Sequence, residues 1–248
     1  MKLDARRLEE LGLNSSAPPG QLLYDGWLLR LLPGKAKRAR SVNAVYASTL
    51  PLEEKILHCE RMFAAASLPA LFRITPFSQP ATLDAALEAR GYGMFDLTAV
   101  ESCAIDPHRL GGARAKAMPL APWIDAISEL RQAPHEHRKA HLARLEGMPL
   151  QLRPMAVEAG GRVVATGLTM IEGDCAGLFD IVTHEDERRK GHARTIVASL
   201  LATAWELGAR HAYLQVNAGN AAARRLYAQF GFEERYVYWY RGRPGEQQ

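Results

Sequence analysis

Cysteine is scarce in this sequence of 248 residues: Cys59, Cys103 and Cys175 are odd in number, far apart, and form no C-x-x-C pair. That argues against a disulfide framework or a paired-thiol metal site, and reads as three buried or half-buried reduced thiols. Long hydrophobic runs are also missing, since none approaches the roughly 20 apolar residues of a membrane-spanning helix. The opening Met1-Lys2-Leu3-Asp4-Ala5-Arg6-Arg7 leads into a mixed polar stretch without the apolar core of a signal peptide, so a cytoplasmic location is expected. Charge of one sign is lacking too. Lysine and arginine exceed the acids by 4, an excess that suits an anionic small molecule but is too small and dispersed for a nucleic-acid partner.

What is there is ordinary globular material, 48% hydrophobic and 23% charged, and the length favours two modest cores. A helix is expected from Leu3 to Leu11 and strands at Trp27–Leu32 and Ser41–Tyr46. Pro51 opens a helix through Ser67, with Ile56, Cys59, Met62 and Phe63 on one face. A strand (Ala70–Thr75), a helix (Ala81–Arg90, closed by Gly91) and a strand (Phe95–Cys103) complete this half. Residues 106–122 have linker composition, and helices follow at Trp123–Gln132 and Glu136–Glu146. Strands Leu152–Glu158 and Arg162–Ile171 meet at Gly160-Gly161. Beyond them come a strand Gly177–Thr183, a helix 192–207, a strand His211–Val216, a helix Ala221–Phe230 and a strand Phe232–Arg241. This order predicts an α/β fold, a mixed sheet with helices on its faces.

The segment Arg188-Arg189-Lys190-Gly191-His192-Ala193 lies between a strand and a helix. The helix has one apolar face, with Ala193, Ile196, Val197, Leu200, Leu201 and Ala204 at helical spacing, and Gly208 is placed to end it. Such a turn offers free backbone N–H groups and the positive end of a helix dipole, a seat for pyrophosphate. Gly191 allows close approach, Ala193 keeps the first turn clear, and Arg188, Arg189, Lys190 and Arg194 add positive charge. The same residues also describe a basic helix start bathed in solvent. The pattern is neither G-x-x-x-x-G-K-[ST] nor G-x-G-x-x-G. Further on, Asn217 or Asn220 can cap the next helix, which ends Leu226-Tyr227-Ala228-Gln229-Phe230-Gly231-Phe232.

The order R-x-x-G-x-A, long helix, strand, N-x-x-A-x-x-L-Y-x-x-x-G-F resembles the GNAT superfamily of acyl-CoA-dependent N-acyltransferases. Arg188, Gly191 and Ala193 match its phosphate-binding signature, and Asn220, Ala223, Leu226, Tyr227, Gly231 and Phe232 match its later one. The resemblance covers residues 150–241 and implies a sheet splayed at a cofactor cleft. It implies that Ile181, Val182 and Thr183 pair with the pantetheine arm of acetyl-CoA, a co-substrate. It further implies that the amides of Arg189, Lys190, Gly191, His192, Ala193 and Arg194 hold the pyrophosphate, that Asn220 contacts the cofactor, and that Tyr227 stands near the thioester sulfur. Chemistry gives Tyr227 a role in its own right: attack of an amine on a thioester expels a thiolate that a nearby phenol can protonate. The alternative is that Tyr227 only packs with Leu226 and Phe230. Asp180 and Glu172 are candidate bases, but each also reads as an ordinary surface or turn acid, and neither is assigned.

A faint internal repeat places Gly91-Tyr92 over Gly231-Phe232 and residues 72–75 over 212–215. Leu87 then replaces Tyr227 and Pro80 replaces Asn220. The chain thus resembles tandem GNAT proteins with one active half: a degenerate domain at 1–106, a linker at 107–122 and a catalytic domain at 123–248. His135, His137 and His141 share a helical stretch, but His137-Arg138-Lys139-Ala140-His141 lacks the glutamate of H-E-x-x-H. It reads as a solvated helix, with no metal expected. Lys35–Arg40 reads as a solvated hairpin, and Trp27, Trp123, Trp205 and Trp239 as core or interface residues. The expected activity is transfer of an acetyl group from acetyl-CoA to a primary amine, a small molecule or a peptide, by direct attack in a ternary complex. A non-catalytic acyl-CoA sensor is the alternative. No membrane partner is expected, and a homodimer is compatible with the sequence.

Overall fold

The computed structural model describes residues 3–34, 36–112 and 114–246. Its elements, in chain order, begin with α1 (Ala5–Asn14), β1 (Gln21–Tyr24), β2 (Trp27–Arg30), β3 (Val42–Ala44), α2 (Leu52–Ala65), β4 (Phe72–Ile74), α3 (Leu83–Ala89) and β5 (Gly93–Ala104). They continue with β6 (Lys116–Ala117), α4 (Leu120–Leu130), α5 (His135–Glu146), β7 (Gln151–Ala159), β8 (Arg162–Glu172), β9 (Cys175–Thr183), α6 (His192–Glu206), β10 (His211–Asn217), α7 (Ala221–Ala228) and β11 (Glu233–Gly242). The chain forms two compact units that interleave rather than follow one another. The motif unit takes the described residues of Met1–Ser15, Val100–Val216 and Asn220–Arg235. The N-terminal unit takes those of Ser16–Ala99, Asn217–Gly219 and Tyr236–Gln248.

In the N-terminal unit the strands run β1-β2-β3-β4-β11, with β3 and β4 parallel and joined through α2. Its core gathers Trp27, Leu29, Val42, Ile56, Cys59, Phe63, Phe72, Leu83 and Leu87, the apolar faces of α2 and α3 closing on the sheet. Met62, expected on the same face as Ile56, is only partly buried. The Lys35–Arg40 segment departs from the expected solvated hairpin. Lys35 lies outside the described residues, Lys37–Ala39 form a 3-10 turn, and Arg40 is buried. The reason is a partner 200 residues along the chain: Arg38 Nη1 donates to Tyr238 Oη (3.3 Å), drawing the turn inward.

In the motif unit the order is β10-β9-β8-β7-β6, with β9 and β10 parallel across α6. Strand alternation gives this sheet two apolar faces. On one, Gly167 lets α6 sit close, since a Cβ there would fall 2.3 Å from Ile196 Cγ2 and 2.9 Å from Leu200 Cδ1. On the other, Leu168 and Met170 pack with Trp123, Ile124, Ile127, Leu145 and Met148 from the α4–α5 region. The hairpin of β7 and β8 turns through Gly160 and Gly161, both at positive φ (58° and 76°), as that two-residue turn requires.

The two helix ends that the faint repeat aligns close in the same way. After α3, Gly91 (φ 82°) is followed by a bond from Tyr92 N to Leu87 O (3.0 Å). After α7, Gly231 (φ 86°) is followed by one from Phe232 N to Tyr227 O (3.3 Å). No helix among the described residues is long and apolar enough to cross a membrane.

Candidate active site

The parallel pairing of β9 with β10 runs from Cys175↔His211 to Leu178↔Leu214. Both strands continue beyond it, β9 to Thr183 and β10 to Asn217, so the sheet opens between them. On its other side β9 stays paired with β8, but Thr166 faces Val182 while Leu168 faces Phe179. One extra residue on β9 makes a bulge there, and Asp180 carries it at φ 53°. The bulge resets the alternation. Phe179 and Val182 both pack towards the α4–α5 core, while Ile181 points to the α6 side, 3.7 Å from a Cβ built on Gly167. Ile181, Val182 and Thr183 are half-buried along the open edge.

The chain then turns into α6. Arg189 and Gly191 are both left-handed (φ 64° and 88°), a conformation that glycine adopts without cost, and nothing lies within 4 Å of the place a Gly191 Cβ would take. The first helical bond is Thr195 N to Gly191 O, 3.0 Å. Among the described residues, the amides of Arg189, Lys190, Gly191, His192, Ala193 and Arg194 donate to no protein acceptor. These open donors stand at the positive end of a 15-residue helix, where negative charge is favoured. Arg188, Arg189, Lys190 and Arg194 are exposed around it, while His192 and Ala193 are half-buried. Glu187, which sequence reasoning missed, accepts from Lys190 Nζ (3.0 Å) and lies 3.3 Å from His192 Nε2. It lies within the acidic Glu185-Asp186-Glu187, but nothing in that run marks which acid faces the turn.

Helix α7 carries the later residues. Asn220 caps it, accepting from Ala223 N at 3.1 Å. The side chain of Tyr227 is buried (8% exposed) and packs on Phe232, ring centroids 6.0 Å apart. Its hydroxyl takes no protein partner among the described residues, yet it is not among the sealed, unsatisfied polar atoms, so it reaches solvent. Burial, with the charge of Glu101 nearby, pushes the phenol up to about 12, so it keeps its proton throughout the neutral range. Glu101 is buried and held by Arg224 Nε (2.7 Å), whose Nη2 also binds Glu234 (2.8 Å). This pairing was not legible in sequence, because its three members come from different elements.

Two acids depart from the surface role expected of them. The Asp180 side chain is 15% exposed, with Arg131 Nη2 at 2.8 Å and His141 Nε2 at 3.1 Å. Burial alone would raise its pKa, but Arg131, His141 and Arg144 outweigh burial and hold the carboxyl well below the usual range. Glu172 binds Arg7 Nη2 (2.8 Å) and Asn14 Nδ2 (3.1 Å), which ties α1 to the end of β8. The solvated-helix reading of the histidine stretch also needs correction at His141. That side chain is 17% exposed and sits edge-on to Trp123, because α5 packs on α4. Among the described residues, no group of three metal-ligating side chains comes together. All three cysteines are buried, and burial pushes each thiol up to about 12.

Residues 121–232 match the model of the acetyltransferase (GNAT) family. That segment is a GNAT-family acetyltransferase domain. Its class is therefore acyltransferase. An uncharacterized N-acetyltransferase of Bacillus subtilis, YobR, is 29% identical to the chain over 96% of its length and 98% of the relative's. The ribosomal protein bS18-alanine N-acetyltransferase of Escherichia coli is 35% identical over 30% of this chain and 50% of that protein. Among solved structures, a GCN5-related N-acetyltransferase from Kribbella flavida shares the fold over 99% of this chain and 97% of its own (TM-score 0.69, 17% identity). A tandem GNAT protein from the clavulanic acid biosynthesis pathway matches 75% of this chain and 67% of its own (TM-score 0.54, 16% identity). The GNAT domain spans the bulged strand, the open turn and α7.

Proposed function

We propose that the motif unit transfers an acetyl group from acetyl-CoA to a primary amine, on a small molecule or a peptide. The observation that carries this is the run of six open amides from Arg189 to Arg194 beside a split between two parallel strands. The pyrophosphate would lie on those amides, with Arg188, Arg189, Lys190 and Arg194 around it. The pantetheine arm would pair with the open edge of Ile181, Val182 and Thr183, where backbone donors and acceptors lack a β10 partner. Asn220 commits its Oδ1 to the helix cap, which leaves its Nδ2 for the cofactor.

The amine attacks the thioester carbonyl directly. Each cysteine is a poor nucleophile, since burial keeps its thiol protonated. Tyr227 would donate its proton to the departing thiolate, a role supported by a hydroxyl that is protonated, free of protein partners and open to solvent. The N-terminal unit is read as a degenerate GNAT-like partner of the catalytic motif unit, though the interleaved fold divides the chain differently from the sequence bounds 1–106, 107–122 and 123–248. The E. coli relative is named for an alanine on a ribosomal protein, which brings a peptide amine within the class of acceptors.

Thermal unfolding with and without acetyl-CoA tests the reading, because a ligand that binds only the native state raises the midpoint. A rise in the wild type that disappears in an Arg188→Ala/Gly191→Val variant is the expected result. The absence of a rise at saturating acetyl-CoA would reject the cofactor assignment. A rise without turnover across an amine panel would favour an acyl-CoA sensor.

A further inference from the structure

The bulge in β9 has a charged side chain at its centre and an imidazole beside it. Given the cofactor placement above, on which the following rests, the polarity of the site is fixed by the chain. The phosphates lie on the turn after Thr183, so the arm runs back along β9 towards the point where β9 and β10 part, at Leu178 and Leu214. The thioester end therefore reaches Asp180. The carboxylate of Asp180 is already engaged by Arg131 Nη2 at 2.8 Å and is kept ionised by the cations around it. An acid so engaged is a weak proton acceptor but a good anchor for an imidazole. His141 meets it through Nε2, 3.1 Å from Oδ2. That contact is at ion-pair distance and Nε2 is sealed from solvent there, so Nδ1 is the nitrogen left to meet an acceptor. Among the described residues Nδ1 has no protein partner, and it is not one of the sealed polar atoms, so it meets solvent. Trp123 on α4 stands edge-on to the ring, and the guanidinium groups of Arg131 and Arg144 act on the same Asp180 carboxylate.

We propose that His141, anchored by Asp180 at the mouth of the β9–β10 split, is the general base that takes the proton from the acceptor ammonium. His141 Nδ1 accepts that proton, and the neutral amine nitrogen forms a bond to the thioester carbonyl carbon. The C–S bond then breaks with its electron pair going to sulfur. Tyr227 protonates the thiolate and recovers a proton from the newly formed amide nitrogen, while the imidazolium releases its proton to solvent. One ammonium and one thioester give one amide, one thiol and one proton. Asp180 is a positioning residue in this scheme.

The test uses S-bromoacetyl-CoA with the full chain. The reactive carbon of this probe sits where the acetyl methyl would, and a nucleophilic nitrogen next to it displaces bromide. The expected result is a raised unfolding midpoint together with alkylation of His141, located by peptide mass spectrometry and prevented by excess CoA. His141→Gln should keep the CoA-induced rise and lose the label. With any amine the wild type acetylates, turnover in His141→Gln should fall about a hundredfold and recover in part when free imidazole is added. A raised midpoint without label on His141, or undiminished turnover in His141→Gln, overturns this proposal and leaves the cofactor reading intact. No rise with S-bromoacetyl-CoA or CoA overturns both.

Discussion

Among the turns that lead from a parallel strand into a helix, those before α2 and α6 treat their backbone amides in opposite ways. After β3, the amides of Thr49 and Leu50 both donate to the carboxylate of Asp25, at 3.0 Å each, and the Thr49 hydroxyl adds a third bond at 2.8 Å. The same carboxylate lies 3.1 Å from Lys55 Nζ, whose side chain is fully buried and rests over the Trp27 ring. After β9, the amides from Arg189 to Arg194 find no such acid. One turn carries its own anion, and the other leaves its donors for an anion from outside. The difference shows how one backbone arrangement is closed by a side chain in one place and left open in another. The change needed is small: an acid at the tip of the preceding hairpin, and a helix opened by Pro51 instead of a left-handed glycine.

The largest expected effect contrasts the two helices that follow, where Tyr227 and Leu87 take corresponding places. Tyr227→Phe should lower turnover about a hundredfold while leaving acetyl-CoA affinity within about twofold, measured by steady-state kinetics and calorimetry. Equal turnover would make Tyr227 a packing residue like Leu87. Next, Gly191→Val should weaken acetyl-CoA binding about tenfold or more, since a branched residue at φ 88° distorts the turn. Thr49→Val in the other turn should leave that affinity alone, and a parallel loss there would break the comparison.

Asp25→Ala should lower the unfolding midpoint by several degrees without touching cofactor affinity, because it strands two amides and the Lys55 ammonium. The pH dependence has a definite sign. The Leu50 and Thr49 amides, then Lys55, hold the Asp25 carboxyl well below its ordinary value. Its contribution is therefore full above the unfolded value, about 4, and fades as pH falls towards the folded one. Calorimetric scans between pH 5 and about 2 should show a shallower decline in Asp25→Asn than in the wild type. The smallest effect belongs to the caps. Asn220→Ala should cost about 1 kcal/mol in stability, read from denaturant midpoints.

Local rules carried the strands and helices far. The period of α6 and the glycines at 160, 161, 208 and 231 stand in the sequence, and all four adopt positive φ. The open turn was legible for the same reason, as a glycine before an amphipathic helix. What could not be read was whatever depends on partners remote along the chain. Asp180 looked like a surface acid because Arg131 and His141 reach it from 49 and 39 residues away, across a bulge that no spacing pattern announces. Lys55 and Asp25 are 30 residues apart with no motif to link them, yet the ammonium is sealed inside a core. Strand β1, only 4 residues long with three of them exposed, gave no periodic signal at all.

The interleaving of the two units carries a consequence for biosynthesis. Strand β4 receives β11 as its antiparallel neighbour through Ile74↔Trp239 and Phe72↔Arg241. Asp84 accepts from Arg241, 157 residues further along. While the ribosome is still making residues 100–235, the N-terminal unit has all its helices but an unfilled strand position beside β4. An uncovered strand edge attracts other chains, so this interval is when nascent polypeptides of this protein are most exposed to mispairing and to chaperones. Cutting the gene at the 107–122 segment would make that interval permanent.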